Sequence, residues 1–109
     1  MDIGIVGLGR MGANMARRLA RSGVRVAAFD VSPVARSALE REPGVTACSD
    51  LRSLVHGLAA PRVIWLMLPA GEVIERAFEE LAALASAGDV LVDGGNSYYK
   101  DSIRRHRSL

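Results

Sequence analysis

GIVGLGRMGANMARRL, residues 4–19, opens on an apolar stretch and passes through a glycine-rich turn into a pattern of helical period. Ile3, Gly4, Ile5 and Val6 carry no polar side chain, as a strand buried on both faces requires. Met11, Met15 and Leu19 then recur every four residues, so they are expected to face the core. Arg17, Arg18 and Arg21 lie off that stripe, and Gly23 ends the helix. Gly7, Gly9 and Gly12 occupy the junction. In a strand-to-helix turn each has its own task. Gly7 permits the tight turn, Gly9 leaves the main chain open to close approach, and Gly12 lets the helix lie against the sheet.

The same alternation continues along the chain. Strands are expected at 26–29, weakly at 44–47, at 63–68 and at 90–92. Ser32 followed by Pro33 reads as an N-cap and first helical residue, starting a helix towards Arg41. Asp50 heads a short helix carrying Leu51, Leu54 and Val55. A longer helix at 72–85 stacks Val73, Ala77 and Leu81, and a last helix is expected at 100–107. Strands alternating with helices imply right-handed crossovers, hence an α/β fold with a doubly wound parallel, Rossmann-like sheet. The expected strand order is 3-2-1-4-5, truncated before any further strands.

Asp30 ends the second strand eighteen residues after Gly12. A glycine triplet alone is a weak signal. Following a strand, opening a helix and paired with an acid at that distance, it points to a dinucleotide whose pyrophosphate meets unpaired helix N–H groups. The Asp30 carboxylate can accept from ribose hydroxyls and would repel a 2′-phosphate. Val31 follows it, so no arginine stands there to neutralise that phosphate. NAD is therefore expected over NADP. Arg10, inside the loop, either covers the pyrophosphate or points to solvent.

Ligands of such sheets bind outside the carboxyl ends of the strands. MLPAGE, residues 67–72, and VLVDGGNSYYKDS, residues 90–102, both reach that rim. Leu68, Pro69 and Ala70 are placed to line the nicotinamide side. Gly94 and Gly95 would let main chain approach a ligand, Asn96 offers a donor and an acceptor, and Ser97 a hydroxyl. A polar, hydroxyl-rich substrate suits that loop.

Composition narrows the alternatives. At 109 residues, half of them apolar and with a formal charge of +2, the chain is expected to be one soluble globular domain. Thirteen of the fourteen basic residues are arginine, and Arg104, Arg105 and Arg107 cluster near the end. No basic stripe accompanies them, so a nucleic-acid partner is not expected. No apolar run approaches the roughly 20 residues needed to span a bilayer, and no charged leader precedes the first strand. Cys48 stands alone, which excludes an internal disulfide and a multi-cysteine metal site. It is expected to be a small buried or half-buried side chain, in a protein of the reducing cytoplasm. His56 reads as a surface residue at a helix end, His106 as part of the basic terminus, and Trp65 as core.

The chain resembles the N-terminal part of the 6-phosphogluconate dehydrogenases, within the wider β-hydroxyacid dehydrogenase superfamily. The matching motifs are residues 4–19, FDVSP at 29–33, MLPAG at 67–71 and VDGGNSYYKDS at 92–102. Asp30 and Val31 replace the Asn-Arg pair of NADP-dependent members and so resemble the shorter, NAD-preferring branch. Tyr98 stands where many members carry Glu. The resemblance implies that Gly7, Leu8, Gly9, Arg10, Met11 and Gly12 bind the dinucleotide, with Asp30, Val31 and Ser32 and with Leu68, Pro69 and Ala70. Asn96 would touch both cofactor and substrate, and Ser97 the substrate. It further implies oxidation of the C3 hydroxyl of 6-phosphogluconate with hydride transfer, then loss of CO2 to give ribulose 5-phosphate. A homo-oligomeric full-length enzyme is also implied. The family's general base, a lysine, and its general acid, a glutamate, belong downstream; Lys100 does not match the former.

Two other readings stay open. A 3-hydroxyisobutyrate type of dehydrogenase shares the glycine turn but typically carries a Ser-Thr pair in the loop after strand five. A non-catalytic NAD-binding module or fragment is the other, because the chain has no substrate domain.

Overall fold

The computed structural model describes residues 2–68 and 71–94. Strands β1 (Asp2–Val6), β2 (Arg25–Phe29), β3 (Val45–Ala47), β4 (Val63–Leu66) and β5 (Val90–Asp93) alternate with helices α1 (Arg10–Arg21), α2 (Pro33–Ser37), α3 (Leu51–His56) and α4 (Glu72–Leu84). The strands form one parallel sheet in the order β3-β2-β1-β4-β5. The expected fold class and order are therefore observed. β4 is shorter than the reading of 63–68, and α2 ends before Arg41.

Alternation along the central strands sends side chains into two cores. Val6, Ile64, Leu66 and Leu91 pack with Leu54, Val55, Ile74 and Leu81 of α3 and α4. Ile3, Ile5, Val26 and Ala28 pack on the other face with Ala13 and Ala16 of α1 and with Leu39. Each fully buried Ile or Leu contributes about 1.5–3 kcal/mol. On the α1 side Trp65 is only half-buried, packing against that core.

The first helix corrects one expectation. Met11 is 71% exposed, and the buried residues of α1 are Gly12, Ala13 and Ala16. The helix lies so close to the sheet that a Cβ on Gly12 would overlap the Gly7 carbonyl oxygen. Only small residues fit at that contact, so the helix presents its alanines and Met11 rotates outwards. Met15 and Leu19 remain partly buried.

α4 corrects another. Its buried stripe is Ile74, Phe78 and Leu81, while Val73 is 56% exposed. Leu81 belongs to both apolar rows of this helix, but the sheet takes the row one residue on.

At the opposite end of the sheet Asp89 is 1% exposed. It accepts from the Arg62 amide at 2.7 Å, the Ser86 amide at 2.8 Å and the Arg62 guanidinium at 2.9 Å. Arg62 Nε also donates to the carbonyls of Val55 and Leu58. Burial alone would raise the Asp89 carboxyl, but these amides and the guanidinium together hold it below the ordinary carboxylate value. The bonds tie the starts of β4 and β5 to the end of α3.

Candidate functional site

Three elements meet at the carboxyl rim of the sheet: the turn into α1, the end of β2 and the start of α4. Gly7 has φ +99°, a conformation that L side chains rarely adopt, and a Cβ there would collide with the Met67 carbonyl. Gly9 differs, because a Cβ built on it meets nothing within 4 Å. It faces open space at the N-terminus of a twelve-residue helix. That terminus has no side-chain cap and no acidic residue in its first turn. Its amides therefore stay available to an anion, with the positive end of the helix dipole behind them. Arg10 and Met11 are exposed on the same turn. Arg10 makes no hydrogen bond or ion pair among the described residues.

Asp30 has a more definite place than spacing suggests. Its Oδ2 accepts from the Leu8 amide at 2.7 Å and its Oδ1 from the Ser32 amide at 2.8 Å. The acid thus braces the glycine turn from the next strand. A carboxylate has about four lone-pair sites, so two amide donors leave capacity for ribose hydroxyls. Ser32 caps α2 by accepting from the Ala35 amide at 3.3 Å, as Ser-Pro predicts. Val31 is 83% exposed beside the carboxylate. Arg36, which the sequence reading missed, donates to the Asp30 carbonyl at 2.8 Å and stacks over the Phe29 ring at 5.9 Å.

Beside Asp30 opens a groove of about 280 Å³. Phe29 and Val31 line one side, Val73 and Ala77 of α4 the other, with Leu51 and half-buried Leu68 between. Arg76 and Glu80 stand on the same face of α4. The groove joins Gly7 and Asp30, so an apolar slot adjoins the anion-binding turn. Its α4 wall was not foreseen; the second apolar row of that helix was the available signal.

The remaining expectations divide. Gly94 has protein on its Cβ side, where a Cβ would lie 2.6 Å from the Trp65 ring and 2.9 Å from Met67 Sδ. Asp93, at the end of β5, is buried. Pro69 and Ala70, and Gly95, Asn96, Ser97 and Tyr98, lie outside the described residues, as does the expected last helix. Cys48 is buried, donates to the Thr46 carbonyl, and has its thiol pushed above the ordinary value chiefly by burial. His56 ends α3 and is exposed. No group of three or more His, Cys, Asp or Glu among the described residues could hold a metal ion. No described helix is long and apolar enough to cross a membrane.

A family model described as the NAD binding domain of 6-phosphogluconate dehydrogenase matches residues 2–109. The chain belongs to that family. A 6-phosphogluconate dehydrogenase of Haloferax volcanii, named as NAD(+)-dependent and decarboxylating, is 38% identical over 105 residues, covering 96% of this chain and 35% of its own length. The NAD(+)-dependent, decarboxylating enzyme of Bacillus subtilis is 36% identical over 111 residues, covering 99% of this chain and 24% of its own. Among solved structures, a Plasmodium falciparum 6-phosphogluconate dehydrogenase superposes with TM-score 0.83 at 26% identity, over 99% of this chain and 24% of that one. A 3-hydroxyisobutyrate dehydrogenase of Mycobacterium tuberculosis superposes with TM-score 0.75 at 30% identity, over 98% and 35%. The chain thus spans about a third or less of the length of each of these four relatives.

Proposed function

We propose that this chain is the dinucleotide-binding part of an NAD-preferring, decarboxylating 6-phosphogluconate dehydrogenase, a single domain to which a substrate domain would be joined. The observation that carries the reading is the Asp30 carboxylate. It is fixed by the Leu8 and Ser32 amides next to the open Gly9 turn, with exposed Val31 where a 2′-phosphate would need a cation. Gly9 and the first turn of α1 would hold the pyrophosphate, Asp30 the adenosine ribose, and the apolar groove the base. Leu68, Pro69 and Ala70 would flank the nicotinamide. Bound there, the dinucleotide supplies the acceptor for the hydride that leaves C3 of the substrate.

Asn96 and Ser97 would hold the substrate against that acceptor, with Asn96 also touching the cofactor. No residue here matches the family's catalytic lysine or glutamate, so the 109 residues alone should bind NAD weakly and turn nothing over. The full enzyme is read as a cytoplasmic homo-oligomer with no nucleic-acid or membrane partner. The names of the Haloferax and Bacillus relatives support both the substrate and the preference for NAD.

Likeness to the 3-hydroxyisobutyrate enzyme, at 30% identity, favours a second reading. Assay of the complete protein on both acids, with NAD and NADP, separates the two. Turnover of 6-phosphogluconate with NAD is expected, and turnover of only the small branched acid would end the first reading.

A further inference from the structure

We propose that Glu80 sets the base specificity of the groove by accepting a hydrogen bond from the exocyclic amine of adenine. The proposal rests on the dinucleotide reading above and deepens it.

Val73, Arg76, Ala77 and Glu80 recur at helical spacing on one face of α4, and all four line the groove. A rise of 1.5 Å per residue puts Glu80 about 10 Å along the helix beyond Val73. Phe29, Val31, Val73 and Ala77 offer apolar surface to the faces of a planar ring. What distinguishes one purine from another is then the edge, and the polar groups of the groove must read it.

Most of those groups are already engaged. Both Asp30 oxygens accept main-chain amides. Asp50 caps α3, accepting from the Ser53 amide at 2.7 Å, a bond that also lowers its carboxyl below the ordinary value. Arg76 has Glu80 four residues ahead and Glu72 four behind, and it pairs with Glu72. Glu80 is left without a hydrogen bond or ion pair among the described residues. Its carboxylate is an un-neutralised acceptor on the wall of an otherwise mainly apolar slot.

An ionised carboxylate only accepts. Adenine presents an amine donor at N6, whereas hypoxanthine and guanine present a carbonyl oxygen at the same position. With the base seated so that its N7 flank faces α4, away from the N1–H donors of hypoxanthine and guanine, Glu80 would attract the adenine amine and repel the carbonyl oxygen of the others. Because Glu80 is exposed, the discrimination should be modest, roughly three- to tenfold in affinity.

The test is a competition titration of NADH against its hypoxanthine analogue, on the unaltered protein, E80A and E80K, with thermal midpoints measured alongside. The unaltered protein should prefer adenine roughly three- to tenfold, E80A should bring the ratio near one, and E80K should favour the hypoxanthine form, because an ammonium donates to a carbonyl oxygen. NADH binding with no base preference, or a ratio unchanged in both variants, overturns this inference alone. Binding of neither dinucleotide to the unaltered protein overturns the function reading as well.

Discussion

The Leu8 amide donates to the Asp30 carboxylate over 2.7 Å, across 22 residues of sequence. One acid therefore shapes the phosphate-binding turn and stands ready for the ribose. Asp30→Ala should weaken NADH binding by roughly ten- to a hundredfold, because two hydrogen bonds to a charged acceptor are lost and the turn loosens. Adding Val31→Arg should recover NADPH selectively. Fluorescence titration of both nucleotides against both variants checks this, and an unchanged ratio of affinities would refute the assignment.

Gly9 and Gly12 should respond differently to alanine. Nothing surrounds the Cβ position of Gly9, so Gly9→Ala should shift the thermal midpoint by only a few degrees, yet impair pyrophosphate seating. Gly12→Ala forces α1 off the Gly7 carbonyl and should lower both stability and binding, by an overpacking cost of about 1–3 kcal/mol or more. Thermal melts paired with NADH titrations distinguish the two outcomes.

Asp89 and Arg62 make a stability element remote from the site. Breaking this buried pair with Arg62→Ala should cost about 3–5 kcal/mol, since the carboxylate keeps its burial and loses its cation. The pH dependence follows from the lowered carboxyl. The folded chain binds the proton less readily than the unfolded one, so the Asp89 contribution is complete above the ordinary carboxylate value of about 3.9. It is lost as pH falls through the lower folded value. Denaturant melts at pH 7 and in the acid range should show Asp89→Asn less stable at pH 7 with a flatter acid limb.

Cys48 should be inert in the native state. Burial holds its thiol above the usual range, so little thiolate forms at neutral pH. A disulfide reagent should react at least tenfold more slowly with native protein than with protein in denaturant, and Cys48→Ala should leave nucleotide binding unchanged. Rapid native labelling would contradict this placement.

The fold was largely legible because the central strands are short apolar runs and two of the crossover helices end at glycines, Gly23 after α1 and Gly57 after α3. The glycine turn and Asp30 were legible because Gly7 and Gly12 stand where a Cβ would collide and Asp30 where a short carboxylate accepts two main-chain amides. Met11 was not, because helical period reports where apolar residues recur and not how near the neighbouring element lies. The tight Gly12 contact selects Ala13 and Ala16 over a larger side chain. Val73 and Glu80 escaped because α4 carries two overlapping apolar rows, and only packing on the sheet decides which row is left to face the groove. Arg36 escaped because its partners are carbonyl groups, which leave no mark in sequence.

Calorimetric titration of the folded protein with NADH, repeated on Gly9→Val, tests most directly whether the turn at Gly9 seats a pyrophosphate. One site per chain is expected for the unaltered protein, with NADPH weaker and the Gly9→Val variant silent while still folded. Absence of heat at millimolar NADH, or undiminished binding by Gly9→Val, would contradict it.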